Sequence, residues 1–258
     1  MSKRTFIDMT GREVKIPELP QRIISLVPSQ TELLFHLGLS KEVIGITKFC
    51  VHPLEWYKRK YRMGGTKNVN IRKISSLKPD LIIANKEENT KEQIELLAAE
   101  FPVWVSDIKT IDDAATMINQ IGILVNKEEQ ATNISNQIRN DFANLPAIPK
   151  QRVAYLIWKK PWVCAGGDTF ISNIIEQMGW INVFADNMRY PEINLSAIIN
   201  NNTDRVLLSS EPYPFKERDL QELQTLLPGI KIQLIDGEMF SWYGSHLLLT
   251  CNYLRSIV

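Results

Sequence analysis

The stretch TIDDAATMINQIGILVNKEEQATNISNQIRNDF, residues 110–142, decides how this chain is organised. It holds no proline and no run of strand type. Apolar residues recur at Ile111, Ala115, Ile118, Ile121, Leu124 or Val125, then Ile134, Ile138 and Phe142. That spacing is helical. It predicts one helix of roughly nine turns, about 50 Å long at 1.5 Å per residue, with a kink near Gly122 or Asn126-Lys127. The segment NLPAIPK, residues 144–150, closes it with two prolines.

Both flanks follow another rhythm. Upstream, RIISLV (22–27) is a short buried-strand run ended by Pro28. Ser29 stands three residues before Glu32, a capping-box spacing, and Gly38 suits the residue just past the helix. VIGIT (43–47), LIIAN (81–85) and VWVS (103–106) are further strands. IRKISSL (71–77) and TKEQIELLAAEF (90–101) are helices between them. Downstream, RVAYLIW (152–158), RVLLSS (205–210) and KIQLID (231–236) are strands. AGGDTF (165–170) turns into a helix, with Asp168 as its expected N-cap. KERDLQELQTLL (216–227) and SHLLLTCNYLRSI (245–257) are helices. Strands alternating with helices imply mostly parallel sheets. The expected fold is α/β, with two similar lobes joined by one long helix. Its expected bounds are 1–109 for the first lobe, 110–145 for the connecting helix and 146–258 for the second lobe.

Composition narrows the function classes. The 258 residues carry a formal net charge of +1, with 44% hydrophobic and 23% charged residues. That is ordinary for a globular chain and argues against a nucleic-acid partner, which demands a basic face. No stretch reaches the roughly 18 apolar residues of a membrane span. The start, MSKRTFIDMTGREVKIP, has no apolar core of signal-peptide length. It reads as cytoplasmic if Met1 is the native start, and as periplasmic if a leader has been trimmed. Cys50, Cys164 and Cys251 are far apart and read as buried, inert thiols. No Walker loop, G-x-S-x-G elbow or H-E-x-x-H is present, and no nucleophile–base pair stands out, so no catalytic residue is assigned. Gly64-Gly65 and Gly166-Gly167-Asp168 read as tight turns, the alternative being an anion cradle.

Aromatic residues crowd the connections instead. In LIDGEMFSWYGSHLLL (234–249), Phe240, Trp242 and Tyr243 follow a strand's end, beside Glu238. Phe49, Trp158, Trp162 and the Glu211-Pro212-Tyr213 turn also follow strand ends, and Tyr190 lies on a loop. Ligands of open parallel sheets bind beyond the carboxyl ends of the strands. The expected ligand-binding set is therefore Phe49, Trp158, Trp162, Tyr190, Glu211, Glu238, Trp242 and Tyr243, facing a flat conjugated molecule. Of the histidines, His52 and His246 lie near that region. Either could donate an axial ligand to a chelated metal, but no resident metal site is visible.

RIISLVPSQTELLFHLGL, followed by EVIGITKFCVHP and GGTKNVNIRKISSLKPDLIIAN, resembles the N-terminal lobe of the helical-backbone (class III) substrate-binding proteins of ABC importers. The likeness spans nearly the whole chain and is closest to the cobalamin-binding branch. It implies a non-catalytic binding protein with no built-in cofactor. Its ligand would be a corrinoid or another metal chelate, such as a ferric siderophore or haem, held between the lobes. By the same likeness Phe49 and Trp158 stand where receptor aromatics touch the corrin. Tyr190 of Tyr190-Pro191 replaces a tryptophan, Glu238 matches an acidic residue and Trp242 replaces an arginine. Two receptor tryptophans are replaced by Thr66 and Asn85. The family's permease-docking glutamates are replaced by Arg72 and Ser196, and Arg72 sets like charge against a permease arginine. The alternative reading is a cytoplasmic corrinoid-handling protein, or an enzyme reusing the scaffold.

Overall fold

The computed structural model describes residues 3–257, which form two compact units. The first comprises the described residues up to Ile108, with Asp112–Arg139 and Tyr243–Leu248. The second comprises Lys109–Ile111, Asn140–Trp242 and the described residues from Leu249 on.

The first unit opens with a hairpin, β1 (Lys3–Ile7) against β2 (Glu13–Pro17). Its five-stranded sheet follows: β3 (Ile23–Ser25), β4 (Val43–Ile46), β5 (Tyr61–Arg62), β6 (Leu81–Asn85) and β7 (Val103–Ser106). The intervening helices are α1 (Pro28–His36), α2 (Leu54–Arg59), α3 (Ile71–Ser76) and α4 (Lys91–Ala98). The spatial order is β5-β4-β3-β6-β7 and every pairing is parallel. Apart from the exposed edge strand β5, the strands are apolar runs because both faces are covered. Ile24, Leu26, Ile82, Ala84, Val103 and Val105 pack with Ile74, Ile94 and Leu97 from the helices. Each of the Ile, Leu and Val side chains contributes about 1.5–3 kcal/mol of burial, before chain entropy is subtracted.

The N-terminal hairpin was not legible as such. Asp8, fully buried, holds it. Its carboxylate accepts bonds from the Thr10 and Arg12 amides, the Thr10 hydroxyl, the Arg12 guanidinium and the Val105 amide. Burial works against the charge, but these bonds outweigh it and hold the carboxyl below the usual aspartate range.

Residues 110–142 are not one rod. They form α5 (Ile111–Leu124) and α6 (Glu128–Ala143). Asn126 takes a left-handed backbone, φ 53°, at the break. Asn119 meets Ser135 at 3.0 Å and Asp112 meets Arg139 at 3.3 Å, so the two helices run antiparallel. Gly122 permits the approach, because a Cβ there would lie 2.3 Å from that of Ala131. The division between the units falls within α6, after Arg139, and again within α11 (Leu247–Ser256), after Leu248.

The expected cap of α1 is also corrected. Val27 is the N-cap, Pro28 starts the helix, and Ser29 lies inside it. The Gly38 ending is as expected, with φ 82°.

The second unit is built on β8 (Arg152–Trp158), β9 (Trp162–Cys164), β10 (Ile181–Asn182), β11 (Glu192–Ile193), β12 (Arg205–Ser209) and β13 (Lys231–Ile235). The sheet order is β11-β9-β8-β12-β13, with β10 beside β8. The β8-β12-β13 core is parallel, while β9 pairs antiparallel to β8 and to β11. Helices α7 (Phe170–Gln177), α8 (Leu195–Asn200), α9 (Glu217–Leu226), α10 (Glu238–Ser241) and α11 (Leu247–Ser256) complete the chain. Ala154, Leu156, Val206, Leu208 and Ile232 form the core with Ile198 and Leu223. Thr169, not Asp168, caps α7 by accepting from the Ser172 amide at 3.2 Å. No helix among the described residues is long and apolar enough to cross a membrane.

Candidate functional site

In the first unit the chain winds outward from β3 through β4 to β5, then returns to the other side as β6 and β7. The switch lies between β3 and β6, where doubly wound sheets open at their carboxyl ends. Two asparagines fix the loops there. Asn85 Oδ1 accepts from the Glu87 and Glu88 amides at 2.8 and 2.9 Å. Its Nδ2 donates to Ser106 Oγ at 3.0 Å. Asn89 Oδ1 accepts from the Asn85 amide at 2.9 Å, and its Nδ2 donates to the carbonyls of Leu26 and Thr66. Only the repeated Asn in NKEEN hinted at this.

Phe49 stands on the loop after β4. Thr47 Oγ1 accepts its amide at 3.3 Å, and the Lys48 amide donates to the Gly64 carbonyl at 2.8 Å. The ring lies against Gly65, where a Cβ would sit 3.3 Å from it, and Lys48 Nζ is 4.9 Å from its centroid. Half of Phe49 remains exposed.

The segment Tyr243–Leu248 also belongs to this unit. Gly244, φ 109°, passes the start of α1, where an added Cβ would lie 3.2 Å from the Ser29 carbonyl. His246 Nδ1 is 2.9 Å from Glu32 Oε2, and both residues are buried. Glu32 thus serves a contact 214 residues away instead of a local capping box. The His52 and His246 ring centroids are 6.2 Å apart. Among the described residues no three His, Cys, Asp or Glu side chains come together as a metal site. All three cysteines are free and buried, and burial raises their thiols, Cys164 and Cys251 to about 12.

In the second unit Trp158 ends β8 with 42% of its surface exposed. It starts a ladder of rings. Trp158 meets Tyr213 edge-on at 5.6 Å, Tyr213 meets Phe215 at 4.7 Å, and Phe215 stacks on Trp162 at 6.2 Å. Trp162 was expected on a connection. It lies within β9 and packs on the core, with Lys159 Nζ 5.7 Å from its ring. Lys159 is held in turn by Asp219 and Glu222 at 2.8 and 2.7 Å. The ladder therefore presents Trp158 and backs it with the other three rings.

Glu211, half-buried, follows β12. Its Oε1 accepts from Ser241 Oγ at 2.7 Å and from the Trp242 indole at 3.1 Å. Burial raises its carboxyl above the ordinary range; the neighbouring Glu238 and Asp236 add to this, and the two bonds oppose it. Gly237 allows the crowding, since a Cβ there would fall 2.4 Å from Ser209 Oγ and 2.7 Å from Glu211 Cγ. Trp242 and Tyr243, expected to be presented to a ligand, are enclosed by protein at 6% and 5% exposure. Glu238 is half-buried at the start of α10.

Gly166 and Gly167 do not cradle an anion. Their amides donate to the carbonyls of Arg189 and Asn187 at 2.8 and 2.9 Å, and Asp168 accepts from the Arg189 amide. They fasten the loop that carries Tyr190, which is half-buried.

Two α/β units with largely parallel sheets are the architecture of the helical-backbone substrate-binding proteins. Comparison with known proteins agrees. Residues 23–226 match the family model described as periplasmic binding protein, and the chain belongs to that family. It is 25% identical over 246 residues to the vitamin B12-binding protein of Pectobacterium carotovorum subsp. carotovorum (strain PC1). That match covers 92% of this chain and 88% of the relative. A solved structure described as a possible iron-binding (periplasmic solute-binding) protein from Staphylococcus epidermidis ATCC 12228 superimposes with a TM-score of 0.77. Identity is 25%, covering 92% of this chain and 98% of the other. The periplasmic vitamin B12 binding protein of Vibrio cholerae shares the fold at a TM-score of 0.72 and 22% identity. Coverage is 93% and 98%.

Proposed function

We propose that this chain is a non-catalytic substrate-binding protein of an ABC importer, and that its ligand is a corrinoid or a similarly flat metal chelate. One observation carries the reading. Each unit presents one large exposed ring at the carboxyl end of a parallel strand, Phe49 after β4 and Trp158 at the end of β8. Each ring is backed by structure, Phe49 by the Gly64-Gly65 turn and Trp158 by Tyr213. Preset rings lose little entropy on binding, and the face of a planar macrocycle suits stacking on such a ring. The similarity to vitamin B12-binding proteins supports a corrinoid over other chelates.

Polar groups fix orientation. Glu211 already takes two donors on Oε1, and its second oxygen suits an amide of the kind corrinoids carry at their rim. Trp242 donates its indole N–H to Glu211 and, like Tyr243, is enclosed by protein instead of offering its face. The test is substitution. Phe49→Ala and Trp158→Ala should each weaken corrinoid binding by about tenfold or more, the usual size for a buried aromatic anchor. Trp162→Phe, which alters a ring packed on Phe215, should leave affinity within about threefold. Equal loss in all three variants would point to a general packing defect and sink the assignment.

A further inference from the structure

Charge is distributed unevenly on the first unit. The chain as a whole has 30 basic and 29 acidic residues. Yet seven of the 17 residues from 57 to 73 are Lys or Arg, and none is Asp or Glu. Four of them, Lys60, Arg62, Arg72 and Lys73, are set around the end of α2, the edge strand β5 and the start of α3, while Arg59 pairs with Glu55 at 2.9 Å and Lys67 reaches the Glu87 carbonyl. Arg62 lies over the Tyr57 ring at 4.4 Å and donates to the Tyr57 carbonyl. Lys73 Nζ donates to the Arg62 carbonyl at 3.0 Å and lies 5.9 Å from the Tyr61 ring. Lys60 Nζ is 5.1 Å from the Trp56 ring and donates to the Ser40 carbonyl at 2.6 Å. Arg72 is exposed beside Lys73 and lines a shallow hollow of about 460 Å³ with Gly64 and Asn68. Tyr61 is itself 60% exposed.

We propose that this face docks a protein partner that presents a cluster of carboxylates. A merely solvated basic surface would leave its side chains loose. Here Lys60, Arg62 and Lys73 are held in place by ring faces and carbonyls, so pairing them with fixed carboxylates requires little further ordering. Tyrosine interleaved with arginine is also the mixture enriched at the centres of protein interfaces. An anionic membrane fits less well. Surface-seeking elements are extended amphipathic helices, whereas α2 and α3 have six residues each. The inference does not depend on what the rings of Phe49 and Trp158 bind.

The full chain should be titrated with fluorescently labelled poly-L-glutamate. Parallel arms would use phosphatidylglycerol-containing vesicles and duplex DNA. Saturable binding of polyglutamate is expected at low salt, falling steeply as salt rises. Arg62→Glu, Arg72→Glu and Lys73→Glu together should weaken it by about tenfold or more. The same three positions changed to Gln should give an intermediate loss, which guards against misfolding of the reversed variant. Corrinoid affinity should be the same in all of them, which separates this face from the ligand site. Unchanged polyglutamate binding in both triple variants would overturn the proposal. So would binding of vesicles or DNA without binding of polyglutamate.

Discussion

Gly167→Ala is the smallest change that tests how the second unit is assembled. An added Cβ would lie 2.0 Å from the Ala185 carbonyl oxygen, 2.8 Å from its carbon and 3.0 Å from its Cα. All three atoms are backbone, so no side chain can rotate away. Ordinary contact begins at 3.4 Å, so the strands of the turn must separate by 3.4 − 2.0 = 1.4 Å. That movement breaks the Gly167 amide bond to Asn187 and strains the Gly166 bond to Arg189, now 2.9 and 2.8 Å. Each bond is worth about 0.5–1.5 kcal/mol, and overpacking adds about 1–3. Alanine recovers about 0.4–1 kcal/mol through the unfolded chain. The net expectation is a loss of about 2–4 kcal/mol, or roughly 5–15 °C in the melting of this unit. Urea unfolding followed by tryptophan fluorescence reads it directly. Gly179→Ala is the control. There φ is 75° with no atom within 4 Å, so only the left-handed backbone is strained, by about 1 kcal/mol. If Gly167→Ala unfolds within roughly 0.5 kcal/mol of the parent, the 166–168 turn is not packed on the 185–190 loop, and the placement of Tyr190 fails with it.

Three further outcomes are expected. Asp8→Asn should destabilise the first unit by about 1.5–3 kcal/mol at neutral pH, since it removes charge-assisted bonds from Arg12. The folded carboxyl is held low, so its contribution exists above the unfolded pKa and vanishes as pH falls through the folded one. The gap to the parent, measured by urea midpoints, should therefore close in acid. Glu211 has the opposite sign. Its folded pKa is raised, so the native state binds the extra proton and stability falls as pH rises through the window above the unfolded value. Glu211→Gln should gain melting temperature relative to the parent between acid and pH 8, and a pH-independent difference would refute the burial of its charge. His246→Phe should lower first-unit stability by about 2 kcal/mol by stranding Glu32. Glu32→Gln, which keeps an acceptor, should cost less; equal losses would argue that packing dominates.

The sheets were legible because parallel strands are buried on both faces and read as apolar runs, as RIISLV, LIIAN and RVAYLIW do. The helical hairpin was not. Leu124 and Phe142, 18 residues apart, fall at the same helical phase across the break, and no proline marks it. The reversal rests on one left-handed residue, Asn126, and on Gly122 fitting Ala131, a contact that only the folded chain defines. The α1 cap was misplaced for a related reason. Ser29 and Glu32 have capping-box spacing, but Pro28 at the first helical position sets the start, and Glu32 is taken by His246. Asp168 and Thr169 are both good caps, and the Asp168 carboxylate is claimed by Arg189. At the site, sequence marked Phe49 and Trp158 as aromatics past strand ends, and both are exposed. It could not tell them from Trp162 and Trp242, because exposure depends on Phe215 and Glu211 reaching these rings from elsewhere.

The measurement closest to the central claim is calorimetric titration of the purified chain with cobalamin, beside cobinamide, haem and a ferric hydroxamate. Saturable binding of a corrinoid at one site per chain, at micromolar or tighter affinity, is the predicted result. It should be lost or weakened in Phe49→Ala and Trp158→Ala. Failure of all four ligands to bind would contradict the reading of the exposed rings as a platform for a flat metal chelate.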